Sequence, residues 1–92
     1  MALGVYFHPA KLNRQQYDQS ISALEKAGHG SPPGRMYHAC FGEGDNLMVF
    51  EIWDTQENFA KFGTVLMPIL AQVPIDPGQP DVMPIQNIIV GK

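Results

Sequence analysis

Residues 47–62 read LMVFEIWDTQENFAKF, and they combine the signals of a strand, a helix N-terminus and an amphipathic helix. Its first part, Leu47–Trp53, is short and rich in apolar, β-branched and aromatic residues, which predicts a strand. Asp54, with Glu57 three residues later, predicts a capping box at the start of a helix. Apolar residues then recur at helical spacing, and we expect them to face the core. This apolar stripe consists of Phe59, Phe62, Leu66 and Ile69.

Beyond this helix the chain is rich in proline. Pro68 is expected to kink or interrupt the helix near its end. Residues 73–81, VPIDPGQPD, predict an irregular loop. Val82–Val90 predicts a last strand, and Pro84 favours an edge position in a sheet for at least its first half.

Upstream of residues 47–62, the sequence predicts a hairpin that is preceded by a strand and a helix. Arg35–Phe41 has strand composition and is followed by the turn residues Gly42–Asp45, so it should pair antiparallel with the next strand. Ala2–His8 predicts a first strand that stops at a proline. A helix is predicted at about residues 14–27, with Asn13 as its N-cap.

The resulting element order, β-α-β-β-α-β, predicts one α+β domain that spans residues 1–92. This order is typical of the ferredoxin-like split βαβ fold, in which two helices cover one face of a four-stranded antiparallel sheet. A chain of 92 residues is short for two domains.

The predicted hairpin has two apolar faces, because successive strand residues alternate between faces. If His38 lies opposite Phe50, one face belongs with the helices and the other is left without cover. The helix face then carries Met36, His38, Cys40, Met48, Phe50 and Ile52. The uncovered face carries Tyr37, Ala39, Phe41, Leu47, Val49, Glu51 and Trp53.

A second copy of the chain is expected to cover that remaining face. Each large apolar side chain left in water forfeits roughly 1.5–3 kcal/mol of burial, and a small domain has little stability in reserve. Twofold symmetry is the commonest way for two copies to meet, so we expect a homodimer. The alternative is that the loop at residues 71–81 folds over the sheet instead.

Composition excludes several classes of protein. Cys40 is the only cysteine, so no internal disulfide forms, and the chain lacks Cys/His zinc spacings. The net charge is −3 with scattered Lys and Arg, which argues against nucleic-acid binding. No apolar run approaches the roughly 18 residues of a membrane span. With no signal-peptide pattern in residues 1–8, a lone thiol favours the cytoplasm.

The run Trp53–Phe62 follows the pattern W-[DE]-[ST]-x-E-x-F-x-x-F. It resembles small antibiotic biosynthesis monooxygenase-like (ABM-like) proteins of the dimeric α+β barrel group, and the length and element order are similar too. The resemblance implies a homodimeric α+β barrel. The activities of this group include cofactor-independent oxygenation of polyketide-like aromatics and haem degradation. The resemblance therefore predicts the fold of this chain better than it predicts a reaction.

The residues themselves disfavour the haem-degrading branch. Those enzymes carry an axial histidine on the second helix, where this chain has Phe62-Gly63-Thr64 and no histidine, and the first strand lacks their asparagine. We therefore predict no bound cofactor. A metal site is not expected either, because His8, His29 and His38 lack metal-ligand spacing.

His38 is the leading candidate for chemistry. An imidazole exchanges protons near neutral pH, so in an apolar cleft it could act as general base towards a phenol or enol. The alternative is a core histidine satisfied by one hydrogen bond. Glu51, in mid-strand, could be an acid/base group or part of a polar pair across the dimer. Cys40 is expected to be a small core residue.

Several aromatic residues are candidates for the lining of a ligand pocket. Tyr6 and His8 share a face of the first strand and could join His38 if that face meets the second helix. Trp53 could line the pocket or anchor the dimer. Phe50, Phe59 and Phe62 would suit either an apolar lining or an ordinary core.

Two functions of different class are compatible with these features. The first is a monooxygenase-like homodimer that binds a small apolar or aromatic, polyketide-like molecule, with His38 as its base. The alternative is a non-catalytic homodimer that binds a small ligand or serves as an interaction module. It is favoured by the lack of an evident catalytic partner for His38 in the sequence. A cofactor-using oxidoreductase or isomerase on the same fold is a third possibility.

Overall fold

The computed structural model describes residues 2–91 and has the predicted α+β, ferredoxin-like architecture. The elements are β1 (Leu3–Phe7), α1 (Arg14–Lys26), β2 (Arg35–Phe41), β3 (Met48–Trp53), α2 (Gln56–Gln72) and β4 (Asp81–Pro84). The four strands form one antiparallel sheet in the order β2-β3-β1-β4. This arrangement confirms the predicted fold class.

Helix α1 begins after Asn13, the N-cap predicted from the sequence, which forms a capping box with Gln16. The Asn13 side chain accepts a hydrogen bond from the Gln16 backbone N–H at 2.8 Å. The Gln16 side chain accepts in return from the Asn13 N–H at 3.1 Å. These two bonds satisfy donors that the first helical turn leaves unpaired, and they fix where the helix leaves the loop.

Helix α2 differs from the prediction at both ends. Its N-cap is Thr55, whose hydroxyl accepts from the Asn58 N–H at 3.1 Å, while Asp54 accepts from the Asn58 side chain. The predicted capping role of Asp54 is therefore wrong by one residue. The helix also continues through Pro68 to Gln72. A proline removes one intrahelical hydrogen bond, and burial of Phe62 and Leu70 on either side offsets that loss.

The last strand is shorter than predicted. β4 ends at Pro84, which pairs with Leu3, and the Ile85 N–H still donates to the Ala2 carbonyl at 2.9 Å. The extension to residue 90 is wrong because the antiparallel partner, β1, is only five residues long and limits the pairing. The edge position predicted from Pro84 is confirmed.

The predicted hairpin register is wrong by one residue. His38 lies opposite Glu51, and Ala39 lies opposite Phe50. A bulge between Arg35 and Tyr37 also shifts the register at the start of β2. Because a one-residue slip moves every side chain of a strand to the other face, Glu51 joins His38 on the helix face. The hydrophobic pattern could not fix the register, since both faces are largely apolar.

The core lies between the helix face of the sheet and both helices. It is formed by Val5 and Trp53 from the sheet, Leu24 from α1 and Phe62 from α2. Val5 and Trp53 are fully buried. Phe59, Leu66 and Ile69 of α2 pack against this cluster, as the predicted apolar stripe requires.

The other side of the sheet is an open face without helices. On it lie Tyr6, Tyr37, Phe41, Phe50 and Met83, and this set is called the open face below. Tyr37 is 53% exposed and Met83 is 63% exposed. The proline-rich loop does not cover this face, because its residues Ile75 and Pro77 lie on the helix side. Along residues 2–91, no helix combines the length and hydropathy needed to cross a membrane.

Gly34 is a position that only glycine suits, and its substitution tests the start of β2. Its φ is +90°, and an added Cβ would lie 2.6 Å from the Asn58 side-chain nitrogen. We expect Gly34→Ala to lower the free energy of unfolding by about 2–4 kcal/mol, from strain and collision together. Gly44→Ala is the matched control, because Gly44 also has positive φ but faces open space. It should lose only about 1 kcal/mol. Equal losses in urea unfolding would contradict this account.

Candidate functional site

A cleft opens between the helix face of the sheet and the two helices. It holds about 570 Å³ of space, part of it continuous with solvent. Its walls are mainly apolar, with Phe7 and Val49 from the sheet and Ile75 and Pro77 from the proline-rich loop. Its polar side chains are Tyr17, Ser20, Arg35, His38 and Glu51. An apolar cleft with a few converging polar groups is the usual form of a small-molecule site.

The five polar side chains of the cleft are called the polar group below. Glu51 lies at the buried centre of this group, with only 3% of its surface exposed. One carboxylate oxygen lies 2.6 Å from His38 Nδ1, and the other accepts from Trp53 Nε1 at 2.9 Å. Arg35 Nη1 lies 3.6 Å from the oxygen that binds His38. An ionised carboxylate can only accept hydrogen bonds, so the two donors and the nearby positive charge of Arg35 are what makes its burial tolerable.

The strand geometry explains why these residues meet. Glu51 and Trp53 are two apart on β3 and therefore point to the same face. His38 lies directly opposite Glu51 on β2. The bulge after Arg35 brings Arg35 opposite Trp53, which places its guanidinium near the same carboxylate. Arg35 is also held by the Gly30 carbonyl at 2.9 Å and by the ring of Phe62.

Tyr17, from α1, completes the group. Its hydroxyl lies 2.7 Å from His38 Nε2, and the two rings are nearly parallel at an interplanar angle of 17°. Because the Glu51 carboxylate is an acceptor, His38 donates from Nδ1, and its neutral form then accepts from Tyr17 at Nε2. Burial raises the pKa of the Tyr17 hydroxyl above its ordinary value. The result is a continuous chain, Tyr17–His38–Glu51, in which each link is a short hydrogen bond.

The structure separates the pocket residues suggested by the sequence. Phe62 lines the cleft with His38. Trp53 and Phe59 pack behind it in the core, with ring centroids 5.7 Å apart. The other three, Tyr6, His8 and Phe50, lie with the open face.

Two contacts locate the first-strand pair away from the cleft. The Tyr6 hydroxyl donates to the Met48 sulfur at 2.7 Å, and His8 lies 3.1 Å from Asp81. The Tyr6 and His8 rings also contact each other. Neither residue is brought together with His38.

Sequence reasoning missed the two partners of His38. The sequence pattern assigned no chemical role to Tyr17, and it placed Glu51 on the face away from His38. The available signal for Glu51 was a carboxylate inside an apolar strand, which needs a partner wherever it points. Cys40 shows no sign of activation, because burial raises the pKa of its thiol. Within the described range 2–91, no three His, Cys, Asp or Glu side chains converge as a metal site would need.

Comparison with known proteins locates the resemblance in the fold. No protein-family model matches the chain, and no curated protein matches it in sequence. Solved structures do match along nearly the whole chain. A protein of the antibiotic biosynthesis monooxygenase type from Chloroflexus aurantiacus is 17% identical, with a TM-score of 0.65 and coverage of 99% of this chain and 100% of that one.

Two further structures agree with that match. SnoaB, a cofactor-independent oxygenase from Streptomyces nogalater, is 15% identical with a TM-score of 0.61, covering 96% of this chain and 94% of that one. A Deinococcus radiodurans protein of the antibiotic biosynthesis monooxygenase type is 11% identical with a TM-score of 0.62. The match covers 100% of this chain and 99% of that one. The chain therefore has the fold of ABM-like proteins, and the resemblance predicted from Trp53–Phe62 is confirmed at the level of fold.

Removing Glu51 tests whether it holds the polar group together. Glu51→Ala leaves His38 Nδ1 and Trp53 Nε1 without their acceptor inside the protein. We expect a loss of about 3–5 kcal/mol in the free energy of unfolding, as for other broken buried pairs. Lys61→Ala is a suitable control, because it removes only an exposed ion pair with Glu57 and should cost less than about 0.5 kcal/mol. Similar losses for the two variants in urea unfolding would show that the buried network contributes little.

Proposed function

We propose that this chain is a monooxygenase-like protein that binds a small, flat apolar or aromatic molecule in the cleft. It would oxygenate that molecule without a bound cofactor, with His38 as the base. The observation that carries the proposal is the pairing of His38 with buried Glu51 inside an apolar cleft. SnoaB, which shares the fold, supports the choice of reaction class.

The proposed reaction begins with proton removal. His38 takes a proton from an acidic C–H or O–H of the substrate, and the Glu51 carboxylate stabilises the imidazolium that forms. The substrate carbanion then gives one electron to O₂, and the two radicals combine to form a C–O bond. The resulting peroxide takes the proton back and loses water, so that a CH₂ group and O₂ become a C=O group and H₂O. Substrate and O₂ supply every electron.

The rival proposal is a binding protein without catalysis. It is favoured by the fact that both ring nitrogens of His38 are already engaged by protein groups. In that case Tyr17, His38 and Glu51 would orient a ligand by hydrogen bonds and the apolar walls would supply most of the affinity.

Anthrone is a suitable probe for the oxygenation proposal. It is flat and tricyclic, its CH₂ group is acidic, and oxygenation by the reaction above gives anthraquinone. We expect the wild-type protein to accelerate O₂ uptake and quinone formation, and His38→Gln to lose about 100-fold of that acceleration. His29→Gln is the matched control, because His29 lies in the loop after α1 and does not line the cleft.

The outcomes distinguish the two functions. Loss of turnover in His38→Gln but not in His29→Gln would support His38 as base. Binding of anthrone without any acceleration of its oxidation would favour the rival binding protein. Equal turnover in both variants would refute the role given to His38.

We also propose that two copies of the chain associate through the open face, in the cytoplasm that a lone thiol suits. The open face is apolar and only partly covered, by the Ile85 side chain beside Gly4 and Phe50, and it contains aromatic side chains from three strands. Burying several of these residues gains roughly 1.5–3 kcal/mol each. A second copy presents an identical apolar sheet, so a twofold arrangement covers both faces at once.

Substitution of Tyr37 tests this association. Tyr37→Glu puts a charge on the open face, at the edge strand β2, and we expect it to convert a dimer into monomers at low micromolar concentration. Met67→Glu is the matched control, because Met67 is equally exposed, at 53%, but lies on α2. Native mass spectrometry would report both masses. A monomeric wild-type protein, or a Tyr37→Glu variant that stays dimeric, would contradict the proposed interface.

A further inference from the structure

His38 has no free ring nitrogen with which to meet a ligand. Its Nδ1 is bound to Glu51 at 2.6 Å, and its Nε2 is bound to the Tyr17 hydroxyl at 2.7 Å. A neutral imidazole has one acceptor lone pair, which lies in the plane of the ring at Nε2. The Tyr17 hydroxyl occupies that direction. A ligand proton can therefore reach His38 only through Tyr17, or after Tyr17 has moved away.

Tyr17 is well placed to meet a ligand itself. It lines the cleft together with His38, and both also border a second recess beside the β2–β3 turn. Its backbone is held in place, because the Ser20 hydroxyl donates to the Tyr17 carbonyl and the Tyr17 N–H donates to the Asn13 carbonyl. Its hydroxyl donates to His38 and keeps lone pairs that can accept a further hydrogen bond. A ligand hydroxyl is the natural donor for that position.

We propose that Tyr17 is the catalytic residue that contacts the ligand, and that it relays the proton of a phenol or enol to His38, with Glu51 as the positioning residue. This inference rests on the proposed function and names its substrate class. The ligand O–H bond breaks and its proton goes to the Tyr17 oxygen. The Tyr17 O–H bond breaks at the same time and its proton goes to His38 Nε2. The products are a ligand phenolate or enolate and an imidazolium paired with the Glu51 carboxylate.

The surroundings of Tyr17 favour a relay over a tyrosinate base. Burial raises the pKa of Tyr17, which disfavours a lasting negative charge on its oxygen. In the relay, Tyr17 gains one proton as it loses another and stays neutral. The positive charge forms on His38, beside the carboxylate that has been buried to receive it. Arg35, 3.6 Å from that carboxylate, keeps a compensating charge in place throughout.

The test uses 7-hydroxycoumarin, a flat phenol whose absorption shifts when its hydroxyl ionises. At a pH where the free probe is largely neutral, we expect wild-type protein to bind it as the phenolate. Tyr17→Phe keeps the aromatic ring but removes the relay, so it should bind the probe in its neutral form, with the ionised fraction reduced about tenfold or more. Tyr37→Phe is the matched control, because it removes a tyrosine hydroxyl on the open face, and it should ionise the probe as the wild type does.

A second measurement reports on the histidine and checks the fold of each variant. In protein with ¹⁵N-labelled histidine, NMR distinguishes a neutral imidazole from an imidazolium. Probe binding should convert His38 to imidazolium in wild type and leave it neutral in Tyr17→Phe, whose other signals should be preserved. Glu51→Gln should lower the ionised fraction of bound probe, because it removes the negative charge that stabilises the imidazolium of His38.

The results separate the relay from the proposed function. If Tyr17→Phe ionises the probe as fully as wild type while His38→Gln does not, the relay is overturned and His38 remains the base. If wild-type protein binds the probe without ionising it, both the relay and His38 as base are overturned. If the probe does not bind at all, the assignment of the cleft to flat phenols is overturned with them.

Discussion

The carboxylate of Glu51, buried on the helix face of the sheet, requires hydrogen-bond donors from the residues around it. Glu51 is 3% exposed and can only accept hydrogen bonds while ionised, so donors must come to it. The fold supplies two donors, the indole of Trp53 two residues along β3 and the imidazole of His38 across the hairpin. It also places the guanidinium of Arg35 3.6 Å from the carboxylate as a compensating charge. The register of the hairpin and the bulge bring these side chains together, and the Glu51 carboxylate sets the tautomer of His38.

The two faces of the sheet carry different kinds of side chain. The helix face holds the core and the polar group, and its cleft combines apolar walls with a few polar side chains. The open face holds aromatic and methionine side chains, and the polar pair beside them, His8 and Asp81, is exposed to solvent. A substitution on one side therefore reports mainly on the cleft, and a substitution on the other reports mainly on association. The strands connect the two sides, because adjacent residues such as Tyr37 and His38 point in opposite directions.

The sequence predicted the element order, the fold class and the location of His38, because strand composition, turn residues and capping signals are local. Asn13 identified the start of α1 correctly. The register of the hairpin could not be predicted, because a pattern with two apolar faces gives no preferred side and the bulge at Arg35 leaves no local signal. The candidate site inherited that error, since Glu51 was assigned to the wrong face. Tyr17 escaped notice because a tyrosine in a helix stripe has the same spacing whether it fills a core or donates a hydrogen bond.

The rim of the cleft and the polar side chains inside it come from separate parts of the chain. Tyr17, His38 and Glu51 belong to α1 and the hairpin, while Ile75 and Pro77 come from the proline-rich segment between α2 and β4. That segment is fastened by few bonds, among them Ile75 N–H to the Leu70 carbonyl at 2.7 Å and the Gln16 side chain to the Pro74 carbonyl at 3.4 Å. Substitutions in this segment would therefore change the rim of the cleft while leaving the hydrogen bonds among Tyr17, His38 and Glu51 in place. The shape of the cleft entrance and the arrangement of its polar side chains can be altered separately.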